Sequence, residues 1–254
     1  MSRAACSSAS SSITCAERGQ RMTTLLQRWR SRWGRGTAPA AGALDDARWI
    51  VADVESGGLD PRRDPLLAIA AVGVHFAPVQ GERGGRRPRI VLGDRFELLL
   101  RPSGAPSASP DKANILVHGI GIGAQRAGLD PAEALQAWES YIGRSPLVGF
   151  HSDFDRTLIE RAGRDALGRA PDNPWLDLEH LAAVLHREPR QRSLDDWLAH
   201  HGITCLARHQ ASADALATAQ LLLKLWPALR QRCDGRFSTV LDLAAGHRFL
   251  PLRH

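Results

Sequence analysis

The sequence predicts an α/β fold whose sheet begins antiparallel. Three observations lead there. Three apolar, strand-like runs come first, between residues 48 and 100, separated by short turn segments. Helical and strand-like segments then alternate to about residue 226. Finally, 43% hydrophobic and 24% charged residues over 254 positions fit an ordinary soluble globular chain. That length holds one full domain with flanking tails, or at most two small ones.

The elements follow in order. Residues 48–55 read as a buried strand around Trp49, Ile50 and Val51, and Asp60-Pro61 and Asp64-Pro65 punctuate the turn after it. LLAIAAVGVHF (66–76) is a second strand, GERGGRRPR (81–89) a hairpin-type loop, and RIVLGDRFELLL (89–100) a third strand. A Pro/Ser/Gly/Ala-rich loop, 101–114, comes next. PAEALQAWESYIG is a helix with Pro131 in its first turn, and PLVGF (146–150) a short buried strand. DFDRTLIERAGRDALG is a helix, and WLDLEHLAAVLH a short strand running into a helix. SLDDWLAHHG is a helix capped by Ser193 and closed by Gly202, and ASADALATAQLLLKLW (211–226) a long helix. The boundaries drawn from this are a disordered basic extension over 1–46, a domain over 47–230, and a loosely attached tail over 231–254.

The extension carries seven Arg and three acids, so it supplies +4 of the net +6. The remaining body is nearly balanced, and bulk charge there names no partner. The Arg- and Ser-rich start resembles an organelle transit peptide, or else Met22 is the true start. TTLLQRWRSRWG (23–34) has the pattern of a short basic helix, set against a plain solvated arm. No apolar run approaches the roughly 20 residues of a bilayer span, so no membrane partner is expected. Cys6, Cys15, Cys205 and Cys233 form no CxxC pair, which argues against a zinc site or disulfide framework and for a reducing, cytoplasmic setting.

Chemistry concentrates in three acid clusters. Asp53 and Glu55 end the first strand and, with the period of 2, share one face. Two neighbouring carboxylates repel and lose hydration, which a hard divalent cation would offset; water at an exposed strand end would serve too. Asp153 and Asp155 follow the strand PLVGF, where Ser152 as N-cap and Asp155 three residues on would equally make an approximate capping box. His209 and Asp214 precede the long helix, where a helix-start acid and a surface histidine are the plain alternative.

In this order the clusters resemble the DEDDh 3'→5' exonucleases, the DnaQ-like family of the DNA polymerase III epsilon subunit. The family's first motif, Asp-x-Glu-Thr-Thr-Gly-Leu, is matched by Asp53, Glu55, Gly58 and Leu59. Its second, Gly-His-Asn-x-x-Phe-Asp, is matched by Gly149, Phe154 and Asp155, with Phe154 setting the register against Asp153. Its third, His-x4-Asp, is matched by His209 and Asp214; the tyrosine of the sister class is absent, since Gln210 stands at its position. HGI (118–120) and WLDLEHLA (175–182) also fit, and the resemblance runs from Trp49 to Trp226. Gly57 departs from the usual hydroxyl residue, and Phe150-His151 from His-Asn.

The resemblance implies a ribonuclease H-like fold: a mixed five-stranded sheet flanked by helices. It implies two divalent cations, Mg2+ or Mn2+, on Asp53, Glu55, Asp155 and Asp214, with His209 as general base. Such ions, about 3.5–4 Å apart, stabilise the attacking and leaving oxygens, and an imidazole of ordinary pKa about 6.5 can take a proton near pH 7–8. Ser56, Gly57, Gly58, Leu59, His118 and Phe154 are the expected substrate contacts, the glycines leaving room for a terminal sugar; His118 has a structural loop role as its alternative. The implied activity is release of 5'-mononucleotides from a 3' end, on single-stranded or frayed DNA first, in proofreading or repair. The rivals are RNA 3'-end trimming and a non-catalytic nucleic-acid-binding module. Association with a polymerase and homodimerisation both stay open. QLLLKLW (220–226) resembles a sliding-clamp peptide but lies inside an apolar helix, where core packing is the simpler role.

Overall fold

The computed structural model describes residues 43–81, 84–102, 112–186 and 193–249, with the side chains of 112–114 excepted. The basic extension as far as residue 42, including the segment 23–34, lies outside the described residues, as does most of the loop 101–114.

Five strands form one sheet: β1 (Arg48–Ser56), β2 (Leu66–Pro78), β3 (Arg86–Leu99), β4 (Leu147–Gly149) and β5 (Trp175–Asp177), in the order β3-β2-β1-β4-β5. β1 and β2 pair antiparallel, as do β2 and β3; β4 and β5 join in parallel. Helices α1 (Lys112–His118), α2 (Ile122–Arg126) and α3 (Pro131–Ile142) precede β4, and α4 (Ser152–Leu167) follows it. Then come α5 (Leu178–Leu185), α6 (Leu194–His200), α7 (Ala211–Arg230) and α8 (Phe237–Ala245), before a short 3-10 turn. This is the mixed sheet flanked by helices expected of the ribonuclease H-like class. The strand over GERGGRRPR starts earlier than the loop reading allowed. β3 is an edge strand, and an edge accepts Pro88 because its missing N–H costs no ladder bond.

Alternation in β1 and β2 feeds both faces. Trp49, Val51, Val72, Val74 and Phe76 pack with α5, α7 and α8 in one buried cluster. Leu221, Leu222, Leu225 and Trp226 lie in the same cluster, so the QLLLKLW segment is core. The other face buries Phe96 against Trp138 and Tyr141, with ring centroids 5.4 and 5.1 Å apart.

Two boundaries move. Residues 237–245 are a helix, not a loose tail: Phe237, Val240 and Ala244 are buried, and the Phe237 ring meets Trp49 edge-on at 5.0 Å. Asp46, assigned to the extension, accepts the Trp49 indole N–H at 2.9 Å and the Phe237 amide at 3.0 Å, and pairs with Arg86 at 2.8 Å. The apolar spacing of FSTVLDLAA carried this helix, but its short length let it pass as a tail.

A charged clip closes the end of the sheet away from Glu55. A bulge between Val72 and Gly73 folds Asp94 over Gly73, where a Cβ would lie 2.0 Å from the carboxylate. Asp94 accepts two bonds from Arg48, at 2.7 and 2.8 Å, and one contact from His75 at 2.6 Å. Burial alone would raise its pKa, but these partners outweigh it and hold it at about 2. A depressed carboxylate stabilises the fold above its unfolded pKa and loses that contribution as pH falls through the folded value. Asp94→Ala should therefore cost about 3 kcal/mol at pH 7, because it strands the mostly buried Arg48. Urea unfolding would show this, with the gap from the parent narrowing from pH 4 downwards.

Candidate active site

β1 carries the first two acids. Asp53 and Glu55 leave the same face at the strand's C-terminal end, where open α/β sheets place ligands. The next residues form a tight loop: the Gly57 amide donates to the Pro65 carbonyl at 2.8 Å, and the Asp60 amide to Asp64 Oδ2 at 2.8 Å. The Ser56 hydroxyl is buried and donates to the Gly58 carbonyl, while Leu59 is 91% exposed.

The glycines have a local cause. A Cβ on Gly57 would lie 2.7 Å from the Pro65 ring, and one on Gly58 2.2 Å from the Asp64 carboxylate. The missing side chains make room for the loop's own return. They also account for the departure at 57: Pro65 stands where a threonine side chain would need to go.

β4 ends at Gly149 and turns sharply into α4. His151 caps that helix at φ 56°, ψ 46°, the left-handed region, so Ser152 is the first helical residue and no Ser152 capping box forms. Asn and His are both over-represented among non-glycine residues there, which suits a position where the related motif has Asn. Asp153 is exposed on the first turn, whereas Asp155 is 5% exposed and turned inward. Gly149 allows this, since a Cβ there would sit 3.0 Å from Asp155 Oδ2. Phe154 is partly buried and its amide closes the turn onto the His151 carbonyl at 3.1 Å.

α7 delivers the last acid. Asp214 is 5% exposed and accepts the His209 amide on Oδ2 at 2.9 Å. Its Oδ1 pairs with Arg208 and receives the Cys205 thiol at 3.5 Å. Arg208 also bonds Asp195 at 2.5 Å. His209 sits at φ 61° with its side chain exposed.

The electrostatics tie the acids together. Burial pushes the Asp53 carboxyl well up, and Asp155, Asp214 and Glu55 push it further. Glu55 rises to about 7 through burial and then Asp214, with an Ala211 backbone hydrogen bond and Arg208 opposing. Asp155 is raised by burial and by Asp177, against a hydrogen bond from Val54. Among the described residues no three His, Cys, Asp or Glu side chains stand around one point in ligating geometry. The donor set nonetheless fits hard divalent cations: four gathered carboxylates whose mutual repulsion a cation would relieve.

His118 is 5% exposed, and its Nδ1 accepts the Ile120 amide at 3.0 Å. Burial lowers its pKa, and its Nε2 is buried without a partner among the described residues. Arg208, Cys205 and Asp177 were missed by the sequence reading. Asp177 had a signal, as the acid before LEHL in a helix-start position; the other two had none.

The five-stranded mixed sheet flanked by helices is the fold of the ribonuclease H-like class. A family model described as "Exonuclease" matches residues 50–222, and the chain belongs to that family, in its DEDDh, DnaQ-like branch. A DNA polymerase III subunit epsilon-like protein of Rhodobacter capsulatus is 33% identical over 219 residues, 84% of this chain and 29% of that protein. The PolC-type DNA polymerase III of Latilactobacillus sakei is 27% identical over 186 residues, 72% of this chain and 11% of that protein. The chain thus spans under a third of these relatives. Exonuclease I has the same fold at TM-score 0.59 and 19% identity, over 80% of this chain and 44% of that one. Escherichia coli exonuclease I in complex with a dA16 oligonucleotide matches at TM-score 0.57 and 18% identity, over 77% and 42%. Among the described residues no helix is long and apolar enough to cross a membrane.

Proposed function

We propose that the chain is a metal-dependent 3'→5' exonuclease that releases 5'-mononucleotides from single-stranded or frayed DNA. One observation carries this reading: β1, α4 and α7 bring Asp53, Glu55, Asp155 and Asp214 into one electrostatically coupled group beside an exposed His209. DNA is favoured because the relatives are named as DNA polymerase III proteins and a structural neighbour holds a deoxyoligonucleotide. A polymerase is the partner those names suggest.

The four carboxylates would hold two Mg2+ or Mn2+ ions. Such ions, when bound, offset the negative charge that builds on the attacking and leaving oxygens of a phosphodiester. His209 accepts the proton of the attacking water at its exposed imidazole. Its backbone amide, bonded to Asp214, keeps base and carboxylate in register. Leu59, exposed on the Gly57-Gly58 loop, offers an apolar surface to the terminal base.

The test is a digestion series on 5'-labelled single-stranded DNA, mismatched duplex DNA and RNA, with Mg2+ or Mn2+, beside Asp53→Ala. A ladder from the 3' end on DNA is expected. A ladder on RNA alone would mark a 3'-end-trimming ribonuclease, and saturable binding without turnover a non-catalytic module. His209→Ala should lower kcat by about 10²–10⁴-fold with little change in KM, read from steady-state kinetics.

A further inference from the structure

We infer that Asp177 is a positioning residue for Asp155, holding the turn that carries Asp155 into the acid group. This rests on reading Asp155 as a cation ligand. Asp177 ends β5 and stands opposite Gly149, the last residue of β4. Its carboxylate collects three backbone amides. Oδ1 accepts from His151 at 3.2 Å and from Glu179 at 2.9 Å, and Oδ2 accepts from Ser152 at 2.9 Å. Two of these amides open α4 and the third opens α5, so one side chain spans two helix starts whose N–H groups have no intrahelical partner.

The turn it holds is one that needs holding. His151 carries a Cβ into the left-handed region, and its side chain makes no cap bond to the helix. Asp155 lies in the first turn beyond it, so the direction in which α4 leaves that turn decides where the Asp155 carboxylate falls. At present it falls within hydrogen-bonding reach of the Val54 amide on β1. A serine hydroxyl could cap one helix only. Two acceptor oxygens are needed to tie both helix starts to β5.

Mn2+ binding to the full chain, measured by titration calorimetry, tests this apart from activity. Asp177→Ala should weaken binding by about tenfold or more, the usual effect of removing the group that orients a ligand. Asp177→Asn keeps one acceptor oxygen but turns an amide towards Ser152, and should show a smaller loss. Asp130→Ala removes a comparable cap, the 3.0 Å bond to Ala132 at the start of α3. It should lower the melting temperature and leave Mn2+ binding unchanged. Asp155→Ala should abolish the binding that Asp177→Ala weakens. Unchanged affinity in Asp177→Ala, with binding lost in Asp155→Ala, would overturn the positioning role and leave the ligand reading intact. Unchanged affinity in Asp155→Ala would sink the ligand reading itself. Should Asp177→Ala fail to fold, Asp177→Asn decides, and affinity equal to the parent's overturns the proposal.

Discussion

Asp53→Asn should make the protein less active and, without metal, more stable. The first effect follows from its place among the carboxylates. Losing charge stabilisation worth several kcal/mol slows cleavage by at least about a hundredfold, at 1.36 kcal/mol per decade. The second follows from what holds Asp53 in its unbound state. Its pKa is raised by burial and then by Asp155, Asp214 and Glu55, so ionising it at neutral pH works against the fold. Asparagine is nearly isosteric and carries no charge to repel. Initial rates on a labelled oligonucleotide and thermal melts in EDTA would give the two signs. A side chain there only for packing would lower both together.

How far the sequence led depends on the kind of residue. The pairing of Asp53 with Glu55 was legible because a strand's period of 2 is rigid: two acids two apart must share a face. The choice of Asp155 over Asp153 came from the register set by Phe154, and the structure buries Asp155 and exposes Asp153. What the sequence could not carry was the cause of the glycines. Pro65 and Asp64 are eight and six residues away along the chain, and only the folded loop presses them against Gly57 and Gly58. Arg208 was illegible for a similar reason. One arginine among many has no pattern, and its bridge from Asp195 to Asp214 exists only once α6 and α7 are packed. The helix α8 fell between these cases: its apolar spacing was visible, but nothing local said that Trp49 would need a cover.

Divalent cations should stabilise the protein more as pH rises, with the change centred below neutrality. Glu55 is the group that sets the window. Its folded pKa of about 7 lies above the ordinary 4.5, through burial first and Asp214 second. Between those values the folded chain keeps a proton that the unfolded chain has released. Without metal, stability is therefore lost as pH rises from about 4.5 to 7, and Asp53 and Asp155 act in the same direction. Asp94 has the opposite sign, but its window lies below pH 4 and does not interfere. Cations bind the ionised carboxylates, so protons compete with them and their stabilisation grows over the same range. At a hundredfold excess over Kd, binding contributes about 2.7 kcal/mol, or roughly 5–10 °C in Tm for a domain of this size. Melting curves in EDTA and in Mn2+ should nearly coincide at pH 5 and separate by that amount at pH 8. In Glu55→Gln the EDTA curve should flatten between pH 4.5 and 7, because the group whose ionisation works against the fold is gone. Curves that stay parallel from pH 5 to 8 would mean that these acids do not hold the cation.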